Sequence, residues 1–301
     1  MKMQIEMACI LDYLTSIKED YTFFGREDAH IMGYSSIFNY EKGSMTWIRN
    51  GDNLEKSTVN PEEIKLIILP YSYKTPYEFQ NYICTEDSHR LFFRLLQKFF
   101  VSEVTYAIGK NCNISESAKI AEYVSIGNNC TISDHVTIGE GTRIYHNVVI
   151  AENVCIGKNC TIKSGAIIGE EGFGFMKDKN GINFRVPHLG KIIIGNYVDI
   201  GANTCIDRGV MEDTVIKDHA KIDNLCHIAH NTAIGENTIV VALTLVGGST
   251  KIGNHCWIGT STIRNLLEIG DEAFIGIGSN VVSNIAKKAL VYGNPAKEKK
   301  P

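Results

Sequence analysis

The sequence lacks paired cysteines, a basic cluster and any long apolar run, and each absence excludes a class of protein. Its nine cysteines are an odd number with no CxxC spacing, so we expect neither a zinc site nor a redox site and predict free thiols. The net charge of -4, without a basic stripe, disfavours nucleic acid as a partner. No signal-peptide pattern opens the chain, and no apolar run approaches the ~18 residues of a membrane span. We therefore expect a cytoplasmic protein that is not integral to a membrane.

What the chain does contain is a six-residue repeat. Isoleucine stands eleven times in succession at a spacing of six, from Ile108 to Ile168. The frame resumes at Ile194, slips by four residues after Ile206, and runs to Val281 with one further residue lost. A period of six fits neither a helix nor a plain strand. Each hexad therefore predicts one short strand and a turn, with the aliphatic side chain pointing into a shared core.

The hexads together predict a parallel β-helix. The residue after the aliphatic is repeatedly small, as at Gly127, Ala121 and Gly157, which suits a corner where backbone torsion is unusual and space is short. Three hexads close one triangular coil, so the repeat predicts roughly eight to nine coils. At the ~4.8 Å spacing of stacked strands, the prism would be about 40 Å long.

The repeat also divides the chain into domains. Residues 1–100 lack hexads and are predicted to form a small α/β domain, with helices in "QIEMACILDYLTSI" and "SHRLFFRLLQKFF" and a buried strand in "KLIILPYS". The β-helix is predicted over residues 101–282, and residues 283–301 form a short C-terminal tail.

The largest break in the frame is the inserted loop 169–190. An insertion into a solenoid must leave the stack as a loop, often on the binding face. Phe173 and Phe175, in the stretch "GFGF", suggest that this loop is a lid or a wall of a substrate site. The alternative is a tolerated surface excursion.

Several stretches carry a resemblance to a known family: "IIGEEGFGF", "GKIIIGNYVDIGANTCIDRGVMEDTVI" and "KIDNLCHIAHNTAIGENT". The hexads resemble the hexapeptide-repeat acyltransferases, whose β-helix is left-handed. The quoted stretches most resemble the UDP-3-O-acylglucosamine N-acyltransferases of lipid A biosynthesis, and "GYSSIFNYEKGSMTWIRN" resembles their uridine-binding domain. The likeness covers about residues 1–282. It implies a mainly β protein, a left-handed parallel β-helix behind a small α/β domain, assembled as a homotrimer.

The resemblance also implies a catalytic set. It makes His230 the general base, Asp223 the carboxylate that orients it, and the Gly248 N–H the oxyanion donor. The chemistry fits, because an amine that attacks a thioester must lose a proton, which a neutral imidazole can take near neutral pH. His230 follows the inward Ile228 by two residues, so it should project from a corner toward a neighbouring subunit. The plain alternatives are a solvated corner histidine, a bystander His227 and an ordinary corner glycine.

The substrate side is less complete in this sequence. The resemblance assigns Trp47 and Asn50 to a uracil pocket, but Asn53 stands where the second stacking ring belongs. Trp47 could instead close the core of the small domain. Phe173, Phe175 and Asn224 are the candidates for a substrate or acyl wall.

These residues predict an N-acyltransferase that moves a (3-hydroxy)acyl group from a thioester to the amino group of a nucleotide-linked amino sugar. The donor would be acyl carrier protein or coenzyme A, with no metal and no tightly bound cofactor. Leu266 replaces a second histidine of the family, and "VYGNPAKEKKP" is similar to the ending of coenzyme A-dependent sugar acetyltransferases. An acetyl- or 3-hydroxybutyryl-transferring enzyme acting on a dTDP- or UDP-linked amino-deoxysugar of O-antigen or another surface polysaccharide is therefore an alternative. A γ-carbonic-anhydrase-like zinc enzyme, which needs three convergent imidazoles, and a non-catalytic binding protein are two others.

Overall fold

The structure is a computed structural model that describes residues 4–49, 54–74, 79–101 and 105–298. The chain divides into two compact units, Met1–Glu103 and Val104–Pro301. Among the described residues, no helix has both the length and the apolar character needed to cross a membrane.

The N-terminal unit is a small α/β fold. Its elements are β1 Ile5–Glu6, α1 Met7–Ser16, β2 Tyr21–Phe24, β3 His30–Ile31, β4 Gly33–Tyr34, β5 Ser44–Trp47, β6 Leu66–Pro70, β7 Tyr82–Thr85 and α2 Ser88–Phe99, with single 3-10 turns at Ile37–Asn39 and Pro61–Glu63. The main sheet has the order β2-β7-β6-β5-β4, and every residue of β6 is buried at its centre. Helix α2 begins after Asp87, whose carboxylate accepts the Arg90 N–H at 3.0 Å. Both helices and the buried strand predicted from the sequence are confirmed.

The C-terminal unit is a stack of short parallel strands. They are β8 Asn113–Ile114, β9 Lys119–Ile120, β10 Ser125–Ile126, β11 Thr131–Ile132, β12 Thr137–Ile138, β13 Arg143–Ile144, β14 Val149–Ile150, β15 Val154–Ile156, β16 Thr161–Ile162, β17 Ile167–Glu171, β18 Phe175–Lys177, β19 Asn183–Arg185, β20 Ile192–Ile194, β21 Asp199–Ile200, β22 Cys205–Arg208, β23 Thr214–Ile216, β24 Lys221–Ile222, β25 His227–Ile228, β26 Ala233–Ile234, β27 Ile239–Val240, β28 Leu245–Val246, β29 Lys251–Ile252, β30 Trp257–Ile258, β31 Ser261–Ile263, β32 Glu268–Ile269, β33 Phe274–Ile275, β34 Ser279–Val281, β35 Leu290–Tyr292 and β36 Lys297–Glu298.

Successive strands visit three walls in turn. Within the described residues, the first wall stacks β10, β13, β16, β21, β24, β27, β30, β33 and β35. The second wall stacks β8, β11, β14, β17, β22, β25, β28, β31 and β34, and the third stacks β9, β12, β15, β20, β23, β26, β29 and β32. Outside this stack, β18 pairs with β19, and β36 runs antiparallel to β35. The predicted parallel β-helix is confirmed.

The core is the column of inward aliphatic side chains. Ile126, Ile144 and Ile162 lie above one another in the first wall with exposures of 3%, 2% and 0%. Each such burial stabilises the fold by about 1.5–3 kcal/mol before the cost of ordering the chain. The hexad spacing read from the sequence is therefore the spacing of core positions.

The corners correct one detail of the sequence analysis. The small residue after the aliphatic mostly lacks the unusual torsion that we expected there: Gly127 and Gly157 do not have positive φ, whereas Gly169, at the largest frame break, has φ 98°. Gly127 is required by close packing instead, because a Cβ on it would lie 2.6 Å from the backbone carbon of Tyr145 in the next coil. The left-handed residue comes two places later and is often asparagine, as at Asn129 with φ 58° and Asn147 with φ 57°.

The two longer frame breaks, the inserted loop and the four-residue slip, lie beside each other in the second wall. β17 runs past the usual strand length, and its Glu171 pairs with Arg208 of β22. The inserted loop then forms the antiparallel hairpin β18–β19. The end of the loop then runs beside the segment after Ile206, where the frame slips by four residues. There the Leu189 N–H donates to the Val210 carbonyl at 2.7 Å. The two breaks thus form one irregular surface over the end of β25.

Candidate active site

His230 stands half-buried at the corner between the second and third walls, directly after β25. Its Nδ1 lies 2.9 Å from Oδ1 of Asn231. The amide of Asn231 cannot turn over, because its Oδ1 accepts the Val210 N–H and its Nδ2 donates to the Glu212 carbonyl, both at 3.1 Å. Nδ1 must therefore donate, so the neutral ring keeps its lone pair on Nε2.

Gly248, one coil further on, lies against that nitrogen. A Cβ at this position would be 2.8 Å from both Nε2 and Cε1 of His230, so only glycine fits under the ring. The Gly248 N–H has no acceptor among the residues that the structure describes. The ring of His230 and the backbone of Gly248, whose N–H has no acceptor in the described chain, are therefore in close contact, which suits proton removal next to oxyanion stabilisation.

Two further side chains face His230 from the inner side. His188, from the inserted loop, is 1% exposed, and its ring stands almost perpendicular to that of His230 with centroids 5.2 Å apart. Asp207, at the end of β22, lies 3.6 Å from Nε2 of His227. Within the described ranges, no group of three or more His, Cys, Asp or Glu side chains has the arrangement of a metal site.

Burial sets the electrostatics of this inner side. It raises the pKa of the Asp207 carboxyl above its ordinary value of 3.8, and the nearby His227, His230 and His188 oppose that shift. Burial also raises the pKa of the Cys205 thiol, and the Asp207 charge adds to that increase. Burial therefore makes the ionised form of Asp207 less favourable than it would be in water.

The single chain does not bring Asp223 to His230. Asp223 follows β24 at the corner between the first and second walls, is exposed, and accepts the Asn224 N–H at 2.7 Å. The Asn224 Oδ1 in turn accepts the Ala202 N–H at 2.7 Å. Within one chain, the place at Nδ1 of His230 that we assigned to a carboxylate is taken by Asn231.

The phenylalanines of the inserted loop are turned to the outside. Phe173 is 88% exposed and Phe175 43%, and their rings meet edge to face with centroids 4.9 Å apart. The Arg185 guanidinium lies 5.1 Å from the centre of the Phe175 ring. No ring contact joins either phenylalanine to His230 within the described chain.

Trp47, at the end of β5, packs against the core and also borders an open cleft. It packs against the core of the N-terminal unit, and its ring lies 4.7 Å from that of His89. It also lines an aromatic cleft of about 230 Å³. The other aromatic residues of the cleft are Tyr34, Phe38, Phe92 and Phe93. Asn50 and Asn53 lie outside the described residues.

His188, Asp207 and Asn231 were not predicted from the sequence. A signal existed for Asp207, since it follows an inward isoleucine where most coils have a small residue. His188 had none, because its position depends on the path of an irregular loop. Asn231 is one of many corner asparagines, and only its amide contacts distinguish it.

Comparison with known proteins agrees with this architecture. The family described as bacterial transferase hexapeptide (six repeats) matches residues 135–170 and 213–248. UDP-3-O-acylglucosamine N-acyltransferase of Campylobacter lari is 48% identical over 235 residues, which is 72% of this chain and 73% of that protein. The protein of the same name from Bordetella pertussis is 43% identical over 131 residues, 42% of this chain and 36% of the relative. The solved UDP-N-acetylglucosamine O-acyltransferase of Moraxella catarrhalis gives a TM-score of 0.59 at 29% identity over 64% of this chain and 73% of that one.

The fold and the site together define a hexapeptide-repeat acyltransferase with a left-handed β-helix. The repeat alone covers several kinds of transferase. The likeness to the Campylobacter lari protein extends over most of both chains, and the chain belongs to the family of the UDP-3-O-acylglucosamine N-acyltransferases. The predicted fold class and the acyltransferase activity are confirmed.

Proposed function

We propose that this enzyme transfers a (3-hydroxy)acyl group from a thioester to the amino group of a nucleotide-linked amino sugar, with UDP-3-O-acylglucosamine as the acceptor that its relatives' names indicate. The observation that carries the proposal is the pairing of an unprotonated Nε2 on His230 with the free N–H of Gly248. The predicted cytoplasmic location belongs to the same proposal.

The two groups perform the two halves of the transfer. As the amine attacks the thioester carbonyl, Nε2 of His230 takes the proton that the nitrogen must lose. The Gly248 N–H donates a hydrogen bond to the oxygen on which negative charge develops, a contact worth ~10²–10³ in rate. Asn231 keeps the ring in the tautomer that leaves Nε2 unprotonated.

The proposed homotrimer would supply what one chain lacks. Because Asp223 and His230 project from different corners, they can meet only if the Asp223 corner of one subunit faces the His230 corner of the next. A subunit placed there would also cover Leu225 and Leu243, two apolar side chains on the Asp223 corner with exposures of 55% and 63%. Both also have left-handed backbone, which is unfavourable for leucine. Asn224 would then face the substrate.

The remaining candidates belong to the substrates. Trp47 and Asn50 would hold the nucleobase, with the ring of Trp47 stacked on it. Phe173 and Phe175 would form part of the acyl wall, since their exposed rings gain most from an apolar chain laid over them. The donor would be a thioester of acyl carrier protein or of coenzyme A.

One observation favours the second candidate, transfer of a short acyl group from coenzyme A to another amino sugar. Leu266 occupies the His230 corner one coil beyond Gly248, where a second histidine was expected, and it is 71% exposed. An apolar side chain there cannot bind a polar group of the acceptor.

A crossed panel tests the proposal. Purified protein is incubated with acetyl, 3-hydroxybutyryl or 3-hydroxymyristoyl thioesters and with UDP- or dTDP-linked amino sugars, and products are identified by mass spectrometry. We expect the acylated UDP-3-O-acylglucosamine, and a loss of ~10²–10⁴ in rate for His230→Ala. His255→Ala, at an exposed corner of another coil, is the matched control and should keep wild-type rate. Equal rates in all three proteins would exclude His230 as the base.

A further inference from the structure

Asp207 occupies a position that this fold usually gives to a small residue. It directly follows the inward Ile206 in β22. Ile206 pairs with Ile228 of β25, so Asp207 lies one coil before Ala229 and beside the corner that carries His230. Its side chain is only 12% exposed. A carboxylate buried here loses hydration, so we expect either partners that compensate for that loss or a functional role.

The compensation is incomplete. No side chain or backbone N–H of the described chain donates a hydrogen bond to the Asp207 carboxylate. The titratable groups that face it are His188 from the inserted loop, His227 and His230 from β25 and its corner, and Cys205 from its own strand. The desolvation that raises the pKa of this carboxyl therefore remains the dominant effect. A buried, weakly paired charge lowers the stability of the fold that keeps it.

His188 adds a second acceptor without a donor. Its Nδ1 lies 2.9 Å from the Val186 carbonyl and must donate to it, so Nε2 of the neutral ring is a buried acceptor without a partner among the described residues. A Cβ on Gly172 would lie 3.0 Å from this Nε2, 3.0 Å from Cδ2 of His230 and 3.2 Å from Oδ2 of Asp207. Three side chains therefore converge on one glycine, and two of them turn unpaired acceptors toward the ring of the base.

We propose that Asp207 is a positioning residue for the acyl transfer, the buried counter-charge of the imidazolium that His230 becomes when it takes the amine proton. The inference rests on the proposed function. In that step the amine lone pair forms the C–N bond, the carbonyl π electrons move to oxygen, and one N–H proton moves to Nε2 of His230. The C–S bond then breaks, and the thiolate leaves with that proton. Asp207 exchanges no atom, and its fixed charge lowers the free energy of the protonated ring.

The decisive variant is Asp207→Asn, which keeps the shape and removes the charge. We expect kcat to fall by about 10- to 100-fold, as when a supporting partner of a functional histidine is removed, with KM within about twofold. The acidic limb of the pH–rate profile should move to lower pH, because protonated His230 has lost its counter-charge and gives up its proton more readily. Asp207→Glu should restore part of kcat. Asp199→Asn, an exposed carboxylate paired with Lys221 at 2.9 Å, is the matched control and should leave kinetics unchanged.

Each other result has a defined meaning. An unchanged kcat and an unmoved acidic limb in Asp207→Asn would overturn the positioning role, and so would a loss confined to KM. If the asparagine variant does not fold, the same two readouts on Asp207→Ala, which also removes the charge, decide in the same way. Inactivity of His230→Ala beside normal Asp207→Asn would overturn this inference alone. A fully active His230→Ala would instead overturn the proposed function.

Discussion

At the scale of single residues, the site depends on which nitrogen of one ring carries a proton. Asn231 settles this for His230, because two backbone partners fix the direction of its amide. Sequence reasoning could place His230 and Gly248 together, since a hexad frame brings residues eighteen apart into adjacent coils. It could not find Asn231 as the partner, because one residue of offset and a side-chain rotamer decide that contact.

The buried carboxylate gives a prediction for stability. The folded state raises the pKa of Asp207, so it binds that proton more tightly than the unfolded chain does. This contribution is fully present below the ordinary value of 3.8 and is lost as pH rises through the raised pKa. Asp207→Asn has no such loss, so its thermal midpoint should exceed that of the wild type at neutral pH and converge with it in acid. Scanning calorimetry at fixed protein concentration across pH measures the difference.

A matched substitution separates this effect from a general loss of charge. Asp199→Asn removes an exposed carboxylate and should change stability by no more than about 0.5 kcal/mol at any pH. A midpoint for Asp207→Asn below the wild type at neutral pH would mean that the carboxylate stabilises the fold, contrary to the desolvation argument.

At the scale of elements, most corners contain one residue in left-handed backbone. Asn129 has φ 58°, and its Nδ2 donates to Oδ1 of Asn147 in the next coil at 3.2 Å. Asn129→Ala should lower the free energy of unfolding by about 1–2 kcal/mol, because alanine pays the full cost of left-handed backbone. Asn129→Gly should lose less, since glycine adopts that conformation freely. Urea unfolding of both variants tests this, and equal losses would show that the amide contact rather than the backbone holds the corner.

The strands were predictable because a period of six leaves few alternatives. The inward isoleucines, the parallel walls and the places of the frame breaks all follow from spacing alone. The corners were harder, because small size and left-handed torsion fall on different residues, at Gly127 and Asn129. The hairpin β18–β19 was expected only as a loop, since nothing periodic marks it.

At the scale of the whole molecule, the proposed site needs two subunits, which mixed assemblies can test. Asp223→Asn and His230→Ala chains, each inactive or weak alone, are co-expressed with different tags and purified through both. If Asp223 of one chain serves His230 of the next, each trimer that carries both tags should regain one of its three sites, about a third of the total. The control replaces the first chain by one carrying both substitutions, which should restore none. Mixed assemblies no more active than their parents would exclude pairing between chains.

The site was less predictable than the fold because it gathers distant segments. Asp207 lies on a strand that is longer than usual, and His188 lies in the irregular end of the inserted loop. His230 lies at a corner of the coil. Only the last of these follows the repeat. Resemblance to a family indicated His230 and Gly248, whereas His188 and Asp207 were found only in the three-dimensional structure.

The pairing of Ile126 with Ile144, eighteen residues apart, has a consequence for how such a chain can change length. A duplication or deletion of one full turn upstream of the site would shift everything beyond it along the axis and leave its facing untouched. A gain of six residues would instead rotate all later coils by a third of a revolution, and His230 would leave the face that we propose meets the next subunit. Viable insertions in this molecule should therefore come as whole turns, or as loops that leave the screw and rejoin it in phase.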